Sequence, residues 1–91
     1  MEEKLSVLVV DDDREIVESI AIYLSRENLT IYKAYDGLQA LDIVAAHTIH
    51  LILMDIMMPK MDGIKAMLKL RERNNIPIIL VSAKGEDADK V

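Results

Sequence analysis

Four short apolar runs limit what this chain folds into. Leu5–Val10 (LSVLVV), Leu51–Met54 (LILM) and Ile78–Val81 (IILV) are nearly continuous. Leu29–Ala34 (LTIYKA) is interrupted by Thr30, Tyr32 and Lys33. Short runs without alternation suit strands buried on both faces, as in a parallel sheet. Between them the apolar period turns helical. Arg14–Glu27 aligns Ile16, Val17, Ile20, Ala21 and Leu24, with Asp12 or Asp13 to cap its start. Asp36–Ala46 carries Leu38, Leu41, Val44 and Ala45, and Asp36 and Gln39 have capping-box spacing. Asp62–Arg73 carries Ile64, Met67, Leu68 and Arg71, with Asp62 placed to cap and Asn74, Asn75 and Pro77 to end it.

The order is βαβαβαβ, followed by a polar, helical start at Glu86–Val91. Strands alternating with helices imply right-handed crossovers and a parallel sheet. The interrupted second run fits an edge, and the other three read as interior. That predicts an α/β, flavodoxin-like fold with strand order 2-1-3-4. No linker or repeat divides residues 1–91, so one domain is expected. The fourth run has no later strand to pair with before Val91. It is expected either to form a hydrophobic edge or to be completed from outside these residues, with self-association along it as one outcome.

Composition narrows the function. The chain is 52% hydrophobic and 30% charged, which supports a folded core. With only three aromatics, that core must be built from Ile, Leu, Val, Met and Ala. The six methionines read as gap-filling core. A net charge of −5 argues against nucleic-acid binding by this segment, since phosphates need a basic face. The absence of cysteine excludes disulfides and thiolate metal sites. The start MEEKLS fits neither a signal peptide nor a membrane span, so a cytoplasmic location is expected.

The acids stand at strand ends. The first strand runs into Asp11, Asp12 and Asp13, the third into Asp55, and the fourth into Ser82. Ligands in such sheets sit beyond the carboxyl ends of the strands, near the switch point. The first and third strands are neighbours in the predicted order, so the acids at their ends, Asp11, Asp12 and Asp13 with Asp55, should converge. Carboxylates crowded together repel and favour a bound cation. With only oxygen donors, that cation should be Mg²⁺. His47 and His50 fall at the opposite end and read as solvent-facing connectors; Lys60 and Lys84 read as solvated loop lysines.

The stretches VLVVDDDREI, LILMDIMMPKMDG and PIILVSAKG resemble the receiver domain of bacterial two-component response regulators, most closely the OmpR-type regulators with a winged-helix DNA-binding domain after the receiver. The resemblance runs from Leu5 to about Lys84. It implies that Asp55 accepts a phosphoryl group from a sensor histidine kinase. It also implies that Asp11 and Asp12 hold Mg²⁺ together with Asp55 and the backbone carbonyl of Met57. Ser82 would donate a hydrogen bond to the phosphoryl group in the active state, with Ala83 as the small residue after it. Pro59 and Gly63 would shape the loop after Asp55. Asp13 falls at a variably acidic position and is left out of the ligands. The family also carries a fifth strand with a lysine at its end and an aromatic switch residue, then a last helix. None lies within these residues, and neither Lys60 nor Lys84 takes the lysine's place. The chain therefore reads as a receiver cut in its fourth helix, a signalling switch with at most self-catalysed phosphorylation and dephosphorylation. It would reach DNA only through an output domain and make no membrane contact.

Two other readings compete. Asp11 and Asp13 form a D-x-D that suits a haloacid-dehalogenase-like phosphohydrolase with Asp11 as nucleophile, although no later lysine and acidic pair follow. The third reading is a non-signalling fragment that folds only by self-association.

Overall fold

The computed structural model describes residues 4–55, 63–72 and 75–81. Its elements run β1 (Leu5–Val10), α1 (Arg14–Ser25), β2 (Leu29–Ala34), α2 (Gly37–Ala46), β3 (Leu51–Asp55), α3 (Gly63–Arg71) and β4 (Ile78–Val81). The strands form one parallel sheet in the order β2-β1-β3-β4. This is the expected α/β winding, and the strand bounds depart from expectation only at Asp55, which closes β3. The polar residues Glu86–Val91 lie outside the described residues.

Alternation along β1 divides the core in two. Leu8 and Val10 face one side with Ile52 and Met54 of β3, Ala40 of α2, and Ala66 and Leu70 of α3. Val7 and Val9 face the other side, against Val17 of α1. Leu8, Ile52, Met54 and Leu70 are essentially sealed from solvent. Each such side chain contributes about 1.5–3 kcal/mol through apolar burial. Met54 fills core, as the methionines were expected to.

Helix α1 buries the expected stripe, with Val17 and Ala21 innermost and Ile20 and Leu24 packed beside them. Just after it, Asn28 takes φ 61°, a left-handed position that asparagine tolerates. Helices α2 and α3 depart in part from the inward faces expected of them. In α2 the buried positions are Gly37 and Ala40, with Leu41, Ile43 and Val44 packed against the core, while Leu38 stays 52% exposed and Ala45 is exposed. The reason is steric: the residues closest to the sheet are the smallest, which lets the helix approach. In α3 Ala66 and Leu70, one turn apart, face the core, and Leu68 and Arg71 are exposed. The exposed Arg71 guanidinium donates to the Ile76 carbonyl at 2.7 Å, tying the helix end to the approach of β4. Asp62 and Arg73, expected at the helix ends, lie outside the described residues, as does Asn74; α3 ends at Arg71, ahead of Asn75 and Pro77.

Strand β4 reads as interior by its pattern, and a hydrophobic edge was one of the two outcomes expected for it. Among the described residues it is an edge, pairing only with β3 and leaving Ile79 and Leu80 substantially exposed. Its apolar side chains nonetheless reach the core through Ile78.

Candidate functional site

The sheet register builds the site. Val10 of β1 is level with Ala34 of β2 on one side and with Met54 of β3 on the other. One residue further, Asp11 and Asp55 emerge on adjacent strands. The Asp11 amide donates to the Ala34 carbonyl at 3.2 Å, extending the ladder by one bond. Both acids are almost completely buried, at 2% for Asp11 and 0% for Asp55, whereas Asp12 is exposed.

Three consecutive aspartates follow β1 and do different work. The Asp11 carboxylate accepts the Asp13 amide at 2.9 Å, which turns the chain out of the strand. The Asp13 carboxylate accepts the amides of Glu15 (3.0 Å) and Ile16 (3.3 Å), capping α1. Asp13 is thus committed to the helix. Asp11, Asp12 and Asp55 each place a carboxylate oxygen within 4.8 Å of the other two. The convergence expected from strand order is therefore present.

The donor set suits a hard cation. It offers only carboxylate oxygens, two of them on nearly buried residues where unbalanced negative charge is costly. Mg²⁺ is commonly held by one or two carboxylates with water and phosphate completing six-fold coordination. Asp11, Asp12 and Asp55 supply oxygen donors of that hard kind, and any two of them suffice for it. Met57 and Ser82, the remaining expected site residues, lie outside the described residues, as do Pro59, Lys60, Ala83 and Lys84. Gly63 opens α3. Val81 is level with Asp55, so β4 delivers its end to the same edge as the acids.

A polar network beside the acids was not foreseen. Arg14, the first residue of α1, stacks its guanidinium 4.0 Å over the Tyr35 ring. The Tyr35 hydroxyl donates to Glu18 at 3.3 Å, and Lys33 donates to both Glu18 oxygens at 2.9 and 3.1 Å. The hydrogen bond from Lys33 lowers the Glu18 pKa, and the same bond raises that of Lys33. The Tyr35 amide donates to Gln39 Oε1 at 2.8 Å, while the Gln39 amide donates to Asp36 at 2.8 Å. The expected capping box at Asp36 and Gln39 thus forms with one change: the glutamine reaches Tyr35, one residue before the cap. That box was the sequence signal that could have drawn attention to Tyr35.

At the other end of the sheet His47 packs against Tyr32, ring centroids 4.6 Å apart. His50 is exposed, as expected, but it is also bonded to β1 through Ser6.

Fold and site together define a doubly wound α/β protein with three carboxylates converging at the carboxyl edge of its sheet. The profile described as "Response regulator receiver domain" matches residues 7–91, and the chain belongs to that family. Two curated relatives are 40% identical. One is "Response regulator GtcR" of Aneurinibacillus migulanus, over 86 residues covering 94% of this chain and 36% of that protein. The other is "Transcriptional regulatory protein SrrA" of Staphylococcus aureus, over 85 residues covering 93% and 35%. The chain thus spans about a third of the length of the curated relatives it matches. Among solved structures, a CheX-CheY complex with BeF3 and Mg²⁺ from Borrelia burgdorferi matches with a TM-score of 0.82 and 33% identity, over 89% of this chain and 63% of that one. Receiver domains are phosphoacceptor switches of two-component signalling, not classical enzymes. The phosphohydrolase and fragment readings are not favoured by these findings. No helix among the described residues is long and apolar enough to cross a membrane.

Proposed function

We propose that Asp55 accepts a phosphoryl group from a sensor histidine kinase, with Mg²⁺ held by Asp11, Asp12, Asp55 and the backbone carbonyl of Met57. The observation that carries this reading is the approach of three carboxylate oxygens to within 4.8 Å at the end of β1 and β3. A carboxylate oxygen of Asp55 attacks the phosphorus of an N-phosphoimidazole. The new P–O bond gives an acyl phosphate, the P–N bond breaks, and its electron pair leaves with the imidazole nitrogen. Bound Mg²⁺ supplies neutralisation of the charge gathered on the phosphoryl oxygens. β3 anchors Asp55 among buried residues, which limits its motion and suits in-line attack. Asp11 and Asp12 hold the cation beside it, and Asp13 keeps the loop between them and α1 folded.

Phosphorylation adds charge and acceptor oxygens at this edge. Ser82, the residue after Val81, donates a hydrogen bond to them in the active state and biases a two-state element. The wider protein is a transcription regulator of the OmpR type, acting in the cytoplasm and on DNA through a winged-helix output domain. The 40% identity to the transcriptional regulatory protein SrrA supports the transcription-regulating part of this reading.

The test is to treat the full chain with a small-molecule phosphodonor and Mg²⁺ and to map the modified residue. Modification at Asp55, lost in Asp55→Asn, is the expected result. A folded sample left unmodified at Asp55 overturns the reading. So does phosphate-ester turnover that is lost with Asp11→Asn and survives Asp55→Asn.

A further inference from the structure

We propose that Tyr35 is a positioning residue for the acid site, its ring holding Arg14 and thereby the loop Asp11–Arg14 in the form that takes up a divalent cation. The inference rests on the proposed reading of that cluster as a Mg²⁺ site.

The loop is clipped to the end of β2 at two points. Its first residue is fixed by the bond from the Asp11 amide to the Ala34 carbonyl. Its last, Arg14, lies against the ring of Tyr35, the residue after Ala34. Two successive residues of β2's end thus grip the two ends of a four-residue loop, and the exposed Asp12 lies between the grips.

Tyr35 is well placed to bear this load. Its ring packs against the Val7, Val9 and Val17 cluster, its amide is held by Gln39, and its hydroxyl reaches Glu18. Gln39 is itself tied to Asp36 at the start of α2. The ring therefore stands on core packing and a helix cap, while Arg14 is an exposed residue that stacks on it and also interacts electrostatically with Glu18. A ligand loop held in its binding form avoids an ordering cost when the ion arrives. Removing the ring leaves Asp11 held by β2 and the Asp13 cap in place, and loosens the Asp12 side of the loop by the one contact that Arg14 makes with the ring.

The experiment is a Mg²⁺ titration of the full chain followed by amide NMR at Asp12 and Asp13, with urea unfolding in chelator alongside. Tyr35→Leu keeps apolar bulk and loses the stacking face. Its Mg²⁺ Kd is expected to rise about two- to five-fold, the scale of an exposed cation–π contact. Tyr35→Phe keeps the face, loses only the hydroxyl, and should retain the wild-type Kd. Arg14→Lys preserves charge at an exposed position and loses the planar stack, so its Kd should rise in the same direction. A purely structural role lowers stability equally with and without metal and leaves Kd unmoved. A folded Tyr35→Leu protein with the wild-type Kd overturns the inference, as does a Tyr35→Phe protein weakened as much as Tyr35→Leu. If Tyr35→Leu does not fold, an unchanged Kd in Arg14→Lys overturns it. Absence of Mg²⁺ binding by the wild type overturns the proposed metal site itself, and this inference with it.

Discussion

His50 completes the β1–β3 ladder with its side chain: its Nδ1 accepts the Ser6 amide at 2.9 Å, and its own amide donates to the Ser6 carbonyl at 2.8 Å. The pair lies one step before Val7 and Leu51, the first rung of the parallel pairing. The imidazole supplies the acceptor for Ser6, whose residue is only 9% exposed. The proton of the neutral ring then sits on Nε2.

His50→Ala removes that acceptor and leaves a nearly buried amide to find another. The expected loss is about 1 kcal/mol, read as a lower urea midpoint with unchanged slope. A midpoint equal to wild type would mean that water replaces the ring at no cost.

Asp13→Ala should cost about 1 kcal/mol, because the Glu15 and Ile16 amides lose their cap. Asp13→Ser restores most of it. Thermal unfolding in chelator isolates this effect from metal binding.

Mg²⁺ should stabilise the wild type by about 1.4 kcal/mol at ten times its Kd. Asp12→Asn should lose most of that increment while folding normally in chelator, since Asp12 is exposed. Melting curves with and without the ion check both statements.

The corrected face of α2 gives a paired test. Leu38→Ala, at an exposed site, should change stability by no more than about 0.5 kcal/mol. Ala40→Leu, at a sealed position, should cost about 1–3 kcal/mol through overpacking. The opposite ranking would restore the face expected from hydrophobicity alone.

The Glu18–Lys33 pair carries a pH signature. Glu18 has a folded pKa lowered by its bond from Lys33, so its contribution is present above the unfolded carboxylate value and is lost as pH falls through the folded one. Lys33 is raised, so its contribution is lost only as pH rises through its folded value, on the alkaline side. Any stability gap between wild type and Glu18→Gln at pH 7 should therefore shrink in acid. High salt should shrink it too, because the pair is exposed.

Much of this architecture was legible because it depends on pattern. Continuous runs such as LSVLVV and LILM suit the interior of a parallel sheet and the interrupted LTIYKA an edge, while the equally continuous IILV is an edge among the described residues. Those constraints gave the order of strands, and the order set Asp11, Asp12 and Asp55 at one edge. Hydrophobicity was a poorer guide to helix faces: Leu38 and Leu68 look like core, but Ala40 and Ala66 permit the closer approach to the sheet and take the inner positions.

The sequence by itself determined which residue types meet at the carboxyl edge, because parallel winding sends every strand end there. Tertiary structure decided how they are used. Three adjacent aspartates are chemically alike, and only the turn after β1 commits Asp13 to the helix and leaves Asp11 and Asp12 beside Asp55. The grips of Tyr35 on Arg14 and of His50 on Ser6 span 21 and 44 residues of chain. No local propensity encodes such contacts, since they exist only once the strands have been brought into register.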